Sequence, residues 1–175
     1  MLKWLWVTIL VIFFDQLTKW MAEANLELGE IIPTVIPHFN WSLAYNTGAA
    51  FGMLSDAGGW QRWFFAILAI VISISIVIWI TKLKDNETWT AVALTLVLGG
   101  ALGNLIDRVL HGKVIDFIDF YLDWDVFFLS KWSDGFSHFA TFNIADIAIT
   151  LGAAVLVIMS LFHKEEDEPQ KTRTL

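Results

Sequence analysis

The feature of this sequence most able to do chemistry is an apolar run that ends in carboxylates and an arginine. No charged residue occurs between positions 88 and 106, and Asp107 and Arg108 then follow Asn104 at offsets of three and four, on one helical face. Two more carboxylates come soon afterwards, Asp116 and Asp119. Ionisable groups at the end of a spanning helix are costly in hydrocarbon and indicate a functional site, for example a proton relay. The alternative is that Asp107 and Arg108 only mark where the helix reaches water.

The composition indicates an integral membrane protein. Of the 175 residues, 57% are hydrophobic, and ten Trp and fourteen Phe exceed what the core of a soluble domain needs. The net charge of −7 comes partly from an acidic tail, and no basic patch predicts a nucleic-acid partner. Cysteine is absent, which excludes disulfides and thiolate chemistry. The four His residues lack metal-ligand spacing, so a zinc protease is not expected.

Four apolar segments are long enough to cross a bilayer, which takes about 20 helical residues. We expect helices at about residues 4–20, 63–81, 89–110 and 143–162, in a single membrane domain formed by residues 1–175. The first segment also has features of a cleavable signal peptide, because Ala22-Glu23-Ala24 fits a cleavage site. Asp15, Lys19 and Trp20 place that site too far from the apolar run, so a first spanning helix is the preferred interpretation.

The first long connection, residues 21–61, predicts a small β-sheet on one membrane surface. Pro33 and Pro37 interrupt it, so it does not form a spanning helix. From His38 to Asn46 the side chains alternate in the period of a half-buried strand. Asn46 then offers both a donor and an acceptor, and Gly48 permits close approach of backbone. As an isolated turn, this segment would be unremarkable.

Charge in the loops predicts which ends of the spans meet. Lys82 and Lys84 lie in a very short loop, which the positive-inside rule places in the cytoplasm. Both termini, including the polar tail 163–175, are then cytoplasmic, and the connections 21–61 and 111–141 lie outside. Polar residues from three helices and the outer loop gather near the outer surface: Asp15, Asn104, Arg108, Asp116, Asn143 and Asp146. Their convergence favours a site over ordinary helix termini.

Five motifs, in this order, resemble the lipoprotein signal peptidase family, the bacterial type II signal peptidases. They are DQLTK at 15–19, NTGAAF at 46–51, GGALGNLIDR at 99–108, VIDF at 114–117 and FNIAD at 142–146. Together they extend over most of the chain and are far more specific than any one alone. The resemblance implies an aspartic endopeptidase of the bacterial cytoplasmic (inner) membrane. Such an enzyme removes the signal peptide of prolipoproteins, cutting just before a cysteine that carries diacylglycerol.

The resemblance also assigns roles to residues. It makes Asp116 and Asp146 the catalytic pair, in which neighbouring carboxylates share a proton, one activating water and the other polarising the scissile carbonyl. The other site residues would bind substrate or support the pair: Asp15, Lys19, Asn46, Gly48, Asn104, Asp107, Arg108 and Asn143, with Asp119 as a further support. The implied partners are lipidated prolipoprotein signal peptides and membrane lipid. No metal, cofactor, nucleic acid or obligatory protein partner is implied.

Other function classes also fit the carboxylate cluster. A small transporter or proton channel would use it as a relay, although the carboxylates gather at one interface and no inverted repeat relates the halves of the chain. A non-enzymatic scaffold protein would use it only for packing. The fold expected in every case is an α-helical integral membrane protein with four transmembrane helices, a small extracytoplasmic β-sheet and an interfacial loop or helix segment.

The outer loop departs from the family pattern. Thirty positions separate Asp116 from Asp146, more than the family's usual spacing. The additional residues lie within 121–142, a segment rich in Trp and Phe, which favour the membrane interface. Two interpretations stay open: a lid over the catalytic pair, or a passive interfacial anchor.

Overall fold

The computed structural model describes residues 1–48, 58–122 and 137–163. Within them a 3₁₀ turn (Leu2–Trp4) leads into α1, and the helices are α1 (Leu5–Asn25), α2 (Trp60–Lys82), α3 (Thr88–Leu110) and α4 (Ile144–His163). The strands are β1 (Ile31–Pro33), β2 (Phe39–Asn46), β3 (Val114–Leu122) and β4 (Ser137–Phe142). In this part of the chain, four helices are long and apolar enough to span a membrane. The predicted fold class, four spanning helices with a small sheet, is confirmed.

The helix α3 is the central element, because α1, α2 and α4 all pack against it. Glycines make this packing close. A Cβ atom on Gly103 would lie 2.5 Å from Oδ2 of Asp15 in α1, and one on Gly99 would lie 2.6 Å from Cβ of Val11. The small residues at positions 99 and 103 therefore allow α1 to approach α3 closely. The outward faces of the other helices are rich in exposed Leu, Ile and aromatic side chains that suit contact with lipid.

The strands form one antiparallel sheet in the order β1-β2-β3-β4. Strand β2 occupies the segment whose alternation predicted a strand, and in its pairing with β3 Ala44 lies opposite Asp116 and Asn46 opposite Val114. A short turn connects α3 to β3, and β4 leads directly into α4. The sheet therefore carries Asp116 to the same place as the end of α3 and the start of α4.

The predicted outer loop 111–141 differs from the structure, because it contains β3 and most of β4. β3 was not predicted from the sequence, because Asp116 and Asp119 are three residues apart and interrupt the alternation of polar and apolar side chains that marks a strand. The pairing of β2 with β3 also shifts in register between Trp41 and Ala44. Nδ2 of Asn40 donates to Oδ2 of Asp119 at 2.9 Å, which gives this buried carboxylate a structural partner. Residues 123–136, most of the segment predicted as lid or anchor, lie outside the described residues.

Two helix boundaries differ by more than one residue from those predicted. α1 continues to Asn25, five residues beyond the expected end at 20. The helix formers between Met21 and Ala24 extend it past the apolar run, and Ala22 is buried. α2 begins at Trp60 rather than at residue 63, so Arg62 lies in its first turn. Hydropathy marks where a helix enters hydrocarbon, and these ends project beyond that point.

Candidate active site

Asp116 is a buried carboxylate on β3, with only 4% of its surface exposed. Oδ1 accepts a hydrogen bond from Nδ2 of Asn143 at 2.7 Å. Oδ2 accepts one from Nδ2 of Asn46, at the end of β2, at 3.3 Å. Each oxygen is thus oriented by a neutral amide.

Asp146 lies in the first turn of α4, where Asn143 caps the helix. The backbone N of Asp146 donates to Oδ1 of Asn143 at 3.0 Å, and the backbone N of Asn143 donates to Oδ2 of Asp146 at 3.2 Å. This reciprocal pair is a capping box formed by Asn and Asp. Nδ2 of Asn104 in α3 donates to the other oxygen, Oδ1, at 2.8 Å. The cap therefore orients Asp146, and the spanning helix α3 fixes it from the side.

Asn143 links the two carboxylates. Its side chain is fully buried, and Nδ2, besides its bond to Asp116, lies 3.2 Å from Oδ1 of Asn104 and 3.2 Å from the carbonyl oxygen of Ile115. One amide therefore contacts Asp116 while its own backbone and side chain cap the turn of Asp146. The sequence predicted that Asp116, Asn104, Asn143 and Asp146 would converge, and the structure brings all four together.

The surroundings of Asp116 favour its protonated form. The pKa of Asp116 is raised from 3.8 to about 7, first by burial and then by the negative charge of Asp146, against the hydrogen bonds from Asn46 and Asn143 and the charge of Lys19. A carboxyl with such a pKa holds a proton near neutral pH and releases it readily. This is the property that an acid catalyst needs.

A buried ionic network between α1 and α3 lies next to these residues. Nζ of Lys19 is 2.8 Å from Oδ2 of Asp15 in its own helix and 2.8 Å from Oδ2 of Asp107 in α3. It also donates to Oδ1 of Asn104 at 3.0 Å. Lys19 and Asp107 are each only 1% exposed, and Asp15 is fully buried. The pair Asp15 and Lys19 is therefore part of a contact between two helices, and Asp107 does not mark where α3 reaches water.

The carboxylates of this network hold the backbone beside both Asp116 and Asp146. Oδ1 of Asp15 accepts from the backbone N of Ala145 at 2.9 Å, one residue before Asp146. Oδ2 of Asp107 accepts from the backbone N of Ile115 at 3.2 Å, one residue before Asp116. The network thus fixes the backbone next to each of the two carboxylates. Asn143 contacts both of them and so fixes their positions relative to each other.

Arg108 faces the carboxylates without forming a close ion pair. Nη1 donates to the carbonyl oxygen of Asn104 and Nη2 to that of Gly48, each at 3.3 Å. The backbone N of Gly48 donates to Oδ1 of Asn46 at 2.9 Å, which ties this turn to the site. The guanidinium lies at electrostatic range of Asp107, Asp116 and Asp146. Among the described residues, however, the salt bridges within 4.0 Å are the two of Lys19.

The comparison with known families decides the identity. The family described as signal peptidase (SPase) II matches residues 7–162, which is most of the chain. The chain belongs to the signal peptidase II family. The resemblance inferred from the five motifs is thereby confirmed, and the protein is a multi-pass membrane peptidase.

Curated relatives carry the name lipoprotein signal peptidase. The protein of that name from Pseudomonas aeruginosa is 48% identical over 167 residues, covering 95% of this chain and 92% of the relative. The one from Hydrogenovibrio crunogenus is 44% identical over 169 residues, covering 97% of this chain and 91% of the relative. The similarity thus extends over most of this signal peptidase II homologue and over most of each relative.

Two solved structures share the fold. One, a bacterial membrane enzyme solved by the in meso method at 2.3 Å resolution, has a TM-score of 0.76 and 34% identity, with 98% of this chain and 94% of the other covered. The second, also a bacterial membrane enzyme, solved at 1.9 Å, has a TM-score of 0.71 and 36% identity, with 91% and 92% covered. The arrangement of helices and sheet is therefore that of known bacterial membrane enzymes.

Three residues around this signal peptidase II site were not assigned a role from the sequence. Gln16, inside the first motif, donates from Nε2 to Oδ1 of Asp107 at 2.8 Å and so joins the buried network. Arg62 and Phe65 contact the end of α3 from α2. Arg62 is the only Lys or Arg between Lys19 and Lys82, and that isolation was the available signal. No feature of the sequence distinguished Phe65 from the other phenylalanines.

A cavity of about 510 Å³ opens beside the site, between the end of β2, the start of α2 and the turn after α3. Its lining includes Thr47, Gln61, Arg62, Trp63 and Gly112. In residues 1–48, 58–122 and 137–163, no three His, Asp or Glu side chains form a group that could hold a metal ion.

Proposed function

We propose that this protein is an aspartic endopeptidase that removes the signal peptide from diacylglyceryl-modified prolipoproteins, cutting just before the lipidated cysteine. The observation that carries the proposal is the position of Asn143, which holds Asp116 through its side chain and Asp146 through its cap. Two carboxylates joined in this way act as one acid and base pair. The family assignment favours this peptidase over the ion relay that the same carboxylates would serve in a transporter.

In the reaction, Asp116 and Asp146 have complementary tasks. Asp116, whose pKa of about 7 keeps its proton near neutral pH, donates that proton to the oxygen of the scissile carbonyl. Asp146 takes a proton from water, and the water oxygen then attacks the carbonyl carbon. The tetrahedral intermediate collapses when Asp146 passes its proton to the nitrogen of the lipidated cysteine and Asp116 takes back a proton from a hydroxyl of the intermediate, so that the C–N bond breaks and both carboxyl groups return to their starting states. That amine leaves with the mature lipoprotein, and the signal peptide keeps the new carboxyl group.

The neighbouring polar groups bind substrate or hold the pair in place. Arg108 presents a cation whose nearest partners are carbonyl oxygens, so it is able to bind oxygen atoms of the substrate. Asn46 and Gly48 form the edge of the site at the end of β2, where backbone and amide groups suit an extended peptide. Asn104 steadies Asp146. The buried residues Asp15, Lys19 and Asp107 support the geometry from inside the bundle.

The location that follows is the bacterial cytoplasmic membrane. Both termini and the loop after α2 lie in the cytoplasm, because Lys82 ends α2 and Lys84 lies in that short loop. The sheet and the carboxylate pair then lie near the outer face. The lipid of the substrate stays in the outer leaflet there, while water reaches the bond to be cut. The partners are lipidated prolipoproteins and membrane lipid, without an obligatory protein partner.

The test is cleavage of a synthetic prolipoprotein peptide by the purified protein in detergent or lipid. The peptide carries diacylglycerol on its cysteine, and an unlipidated copy of the same peptide is the control. We expect one cut, just before the lipidated cysteine, without added metal and in the presence of a chelator. Cutting at another bond, or equal cutting of both peptides, would contradict the proposed substrate. Loss of cleavage in chelator would contradict the aspartic mechanism.

A further inference from the structure

Arg62 binds the last turn of α3 from the first turn of α2. Nε donates to the carbonyl oxygen of Arg108 and Nη2 donates to that of Val109, both at 2.7 Å. The carbonyls at a helix C-terminus lack intrahelical partners, so a guanidinium that donates to two of them stabilises that end. Gly112, at φ +76°, leaves room for the contact, because a Cβ there would lie 3.2 Å from Nη1 of Arg62.

Phe65 contacts the side chain of the residue whose backbone Arg62 holds. It lies one turn along α2, and Cζ of Arg108 is 5.3 Å from the centroid of its ring. A guanidinium within about 6 Å of an aromatic face is attracted to the ring without being neutralised. The other partners of Arg108, the carbonyl oxygens of Asn104 and Gly48, are also uncharged.

We propose that Arg62 and Phe65, here called the α2 clamp, are positioning residues that keep the guanidinium of Arg108 apart from the carboxylate pair and available to the substrate. This inference rests on the proposed function and adds to it a role for α2. Arg62 fixes the backbone from which the side chain of Arg108 starts, and Phe65 fixes the direction that the side chain takes. A cation so near two carboxylates would otherwise form a direct ion pair with them.

Loss of the clamp would change the pair itself. The charged groups that face Asp116 are Asp146 of α4, Lys19 of α1 and Arg108 of α3, while the described part of β2 contributes neutral Asn46. If Arg108 moved onto the pair, its positive charge would favour the ionised form of Asp116. Asp116 would then lose its proton at lower pH, and the space for substrate oxygens would be filled. A loss of packing alone would not move the pH dependence in that way.

The variant Phe65→Leu tests the clamp, because leucine keeps apolar bulk but lacks the aromatic face. We expect kcat to fall by about 10-fold to 100-fold, the usual effect of misplacing a catalytic group by about 1 Å. We also expect the alkaline limb of the pH profile of kcat/KM to move down by about one unit. Phe65→Trp, which keeps an aromatic face, should retain the wild-type profile. Phe13→Leu, on the exposed face of α1, is the control for loss of a phenyl ring.

A second pair of variants tests the backbone contact. Arg62→Gln removes the cation and should lower kcat with the same shift of the pH profile. Arg62→Lys keeps a cation but cannot donate to both carbonyl oxygens in the same way, so its kcat should lie between those of Arg62→Gln and the wild type. Unchanged pH profiles in active Phe65→Leu and Arg62→Gln enzymes would overturn the clamp. The proposed function would fail separately, if the wild-type enzyme did not cleave the lipidated peptide. Thermal unfolding of each variant distinguishes a folded, impaired enzyme from an unfolded one.

Discussion

Nδ2 of Asn143 lies 2.7 Å from Oδ1 of Asp116, so the residue that caps α4 also orients the carboxylate on β3. Because the same residue exchanges two hydrogen bonds with Asp146, a helix N-terminus and a sheet edge are joined at one side chain. The distance between the two carboxylates is thereby set by the fold. Movement of α4 relative to the sheet would change it at once.

Replacement of Asn143 should therefore damage catalysis more than stability. Asn143→Ala removes the donor to Asp116 and the helix cap, and we expect a loss of about 1 kcal/mol of stability and at least about a 100-fold fall in kcat. Asn143→Asp keeps the cap acceptor but puts an oxygen where Nδ2 faced the acceptors of Asp116, Asn104 and Ile115, so it should regain neither stability nor activity. Thermal unfolding and cleavage of the lipidated peptide measure the two effects. Recovery of activity in Asn143→Asp would show that only the cap matters.

The carboxylate pair gives the most direct prediction. Asp116→Asn and Asp146→Asn should each lower kcat by about 1,000-fold or more, because each removes one partner of the acid and base pair. Both variants should insert, accumulate and bind the lipidated peptide. Asp119→Asn is the matched control, since Asp119 is a buried carboxylate on the same strand whose partner is Asn40. Normal turnover by either Asp116→Asn or Asp146→Asn would end the aspartic assignment.

The raised pKa of Asp116 predicts the pH dependence of activity and stability. Activity should fall as pH rises through about 7, because Asp116 then loses the proton that it donates. The folded state holds this proton more tightly than the unfolded chain, whose pKa stays near 3.8. The stabilising contribution is thus complete below pH 3.8 and is lost as pH rises through about 7.

Carboxyl ¹³C NMR of Asp116 measures its pKa directly. In Asp146→Asn the pKa should fall, because a negative charge is removed, yet it should stay above 3.8, because burial is the larger cause. Asp116→Asn should also make stability less dependent on pH between 4 and 7 than in the wild type. A pKa that did not change in Asp146→Asn would mean that the two carboxylates are not coupled.

The spanning helices and β2 were predictable because each is encoded by a local period. Four apolar runs predicted the spanning helices, and strict alternation of side chains predicted β2. The number of spans indicated which helix ends, and so which polar residues, lie on the same side. Strand β3 was not predictable, because Asp116 and Asp119 serve tertiary partners, Asn143 and Asn40, at the cost of alternation. Local pattern fails where long-range contacts determine residue identity.

The internal contacts of the site were also beyond the sequence. Asp15 and Lys19 lie four positions apart in one helix and so can pair locally, but the contact of Lys19 with Asp107 depends on how α1 crosses α3. Gly103 permits that crossing, yet a glycine pair does not tell which helix will approach. The contact of Phe65 with Arg108 depends in the same way on the packing of α2.

The buried network predicts strong destabilisation when its cation is lost. Lys19→Met leaves the carboxylates of Asp15 and Asp107 buried without a counter-charge, and we expect a loss of about 3–5 kcal/mol of stability. Asp107→Asn should cost less, because its amide oxygen still accepts hydrogen bonds and Asp15 keeps Lys19. It should impair folding or substrate binding more than the chemical step, unlike Asp116→Asn.

Thermal unfolding in detergent, followed by tryptophan fluorescence, measures these losses. Lys84→Met, in the exposed loop after α2, is the control for removal of a lysine, and it should unfold like the wild type. Equal unfolding temperatures for Lys19→Met and Lys84→Met would show that the network contributes nothing. If Asp107→Asn were as inactive as Asp116→Asn while folded and able to bind substrate, the assignment of the catalytic pair would be wrong.

The proposed topology is testable with single cysteines, because the chain contains none. Asn86 lies in the short loop between α2 and α3, and Glu30 lies between α1 and β1, and both are exposed. With the carboxylate pair at the outer face, a membrane-impermeant maleimide should label Glu30→Cys in intact spheroplasts. Asn86→Cys should be labelled only after the membrane is permeabilised. Labelling of both from the same face would contradict four complete spans, and reversed labelling would place Asp116 and Asp146 on the cytoplasmic side, away from the proposed substrate.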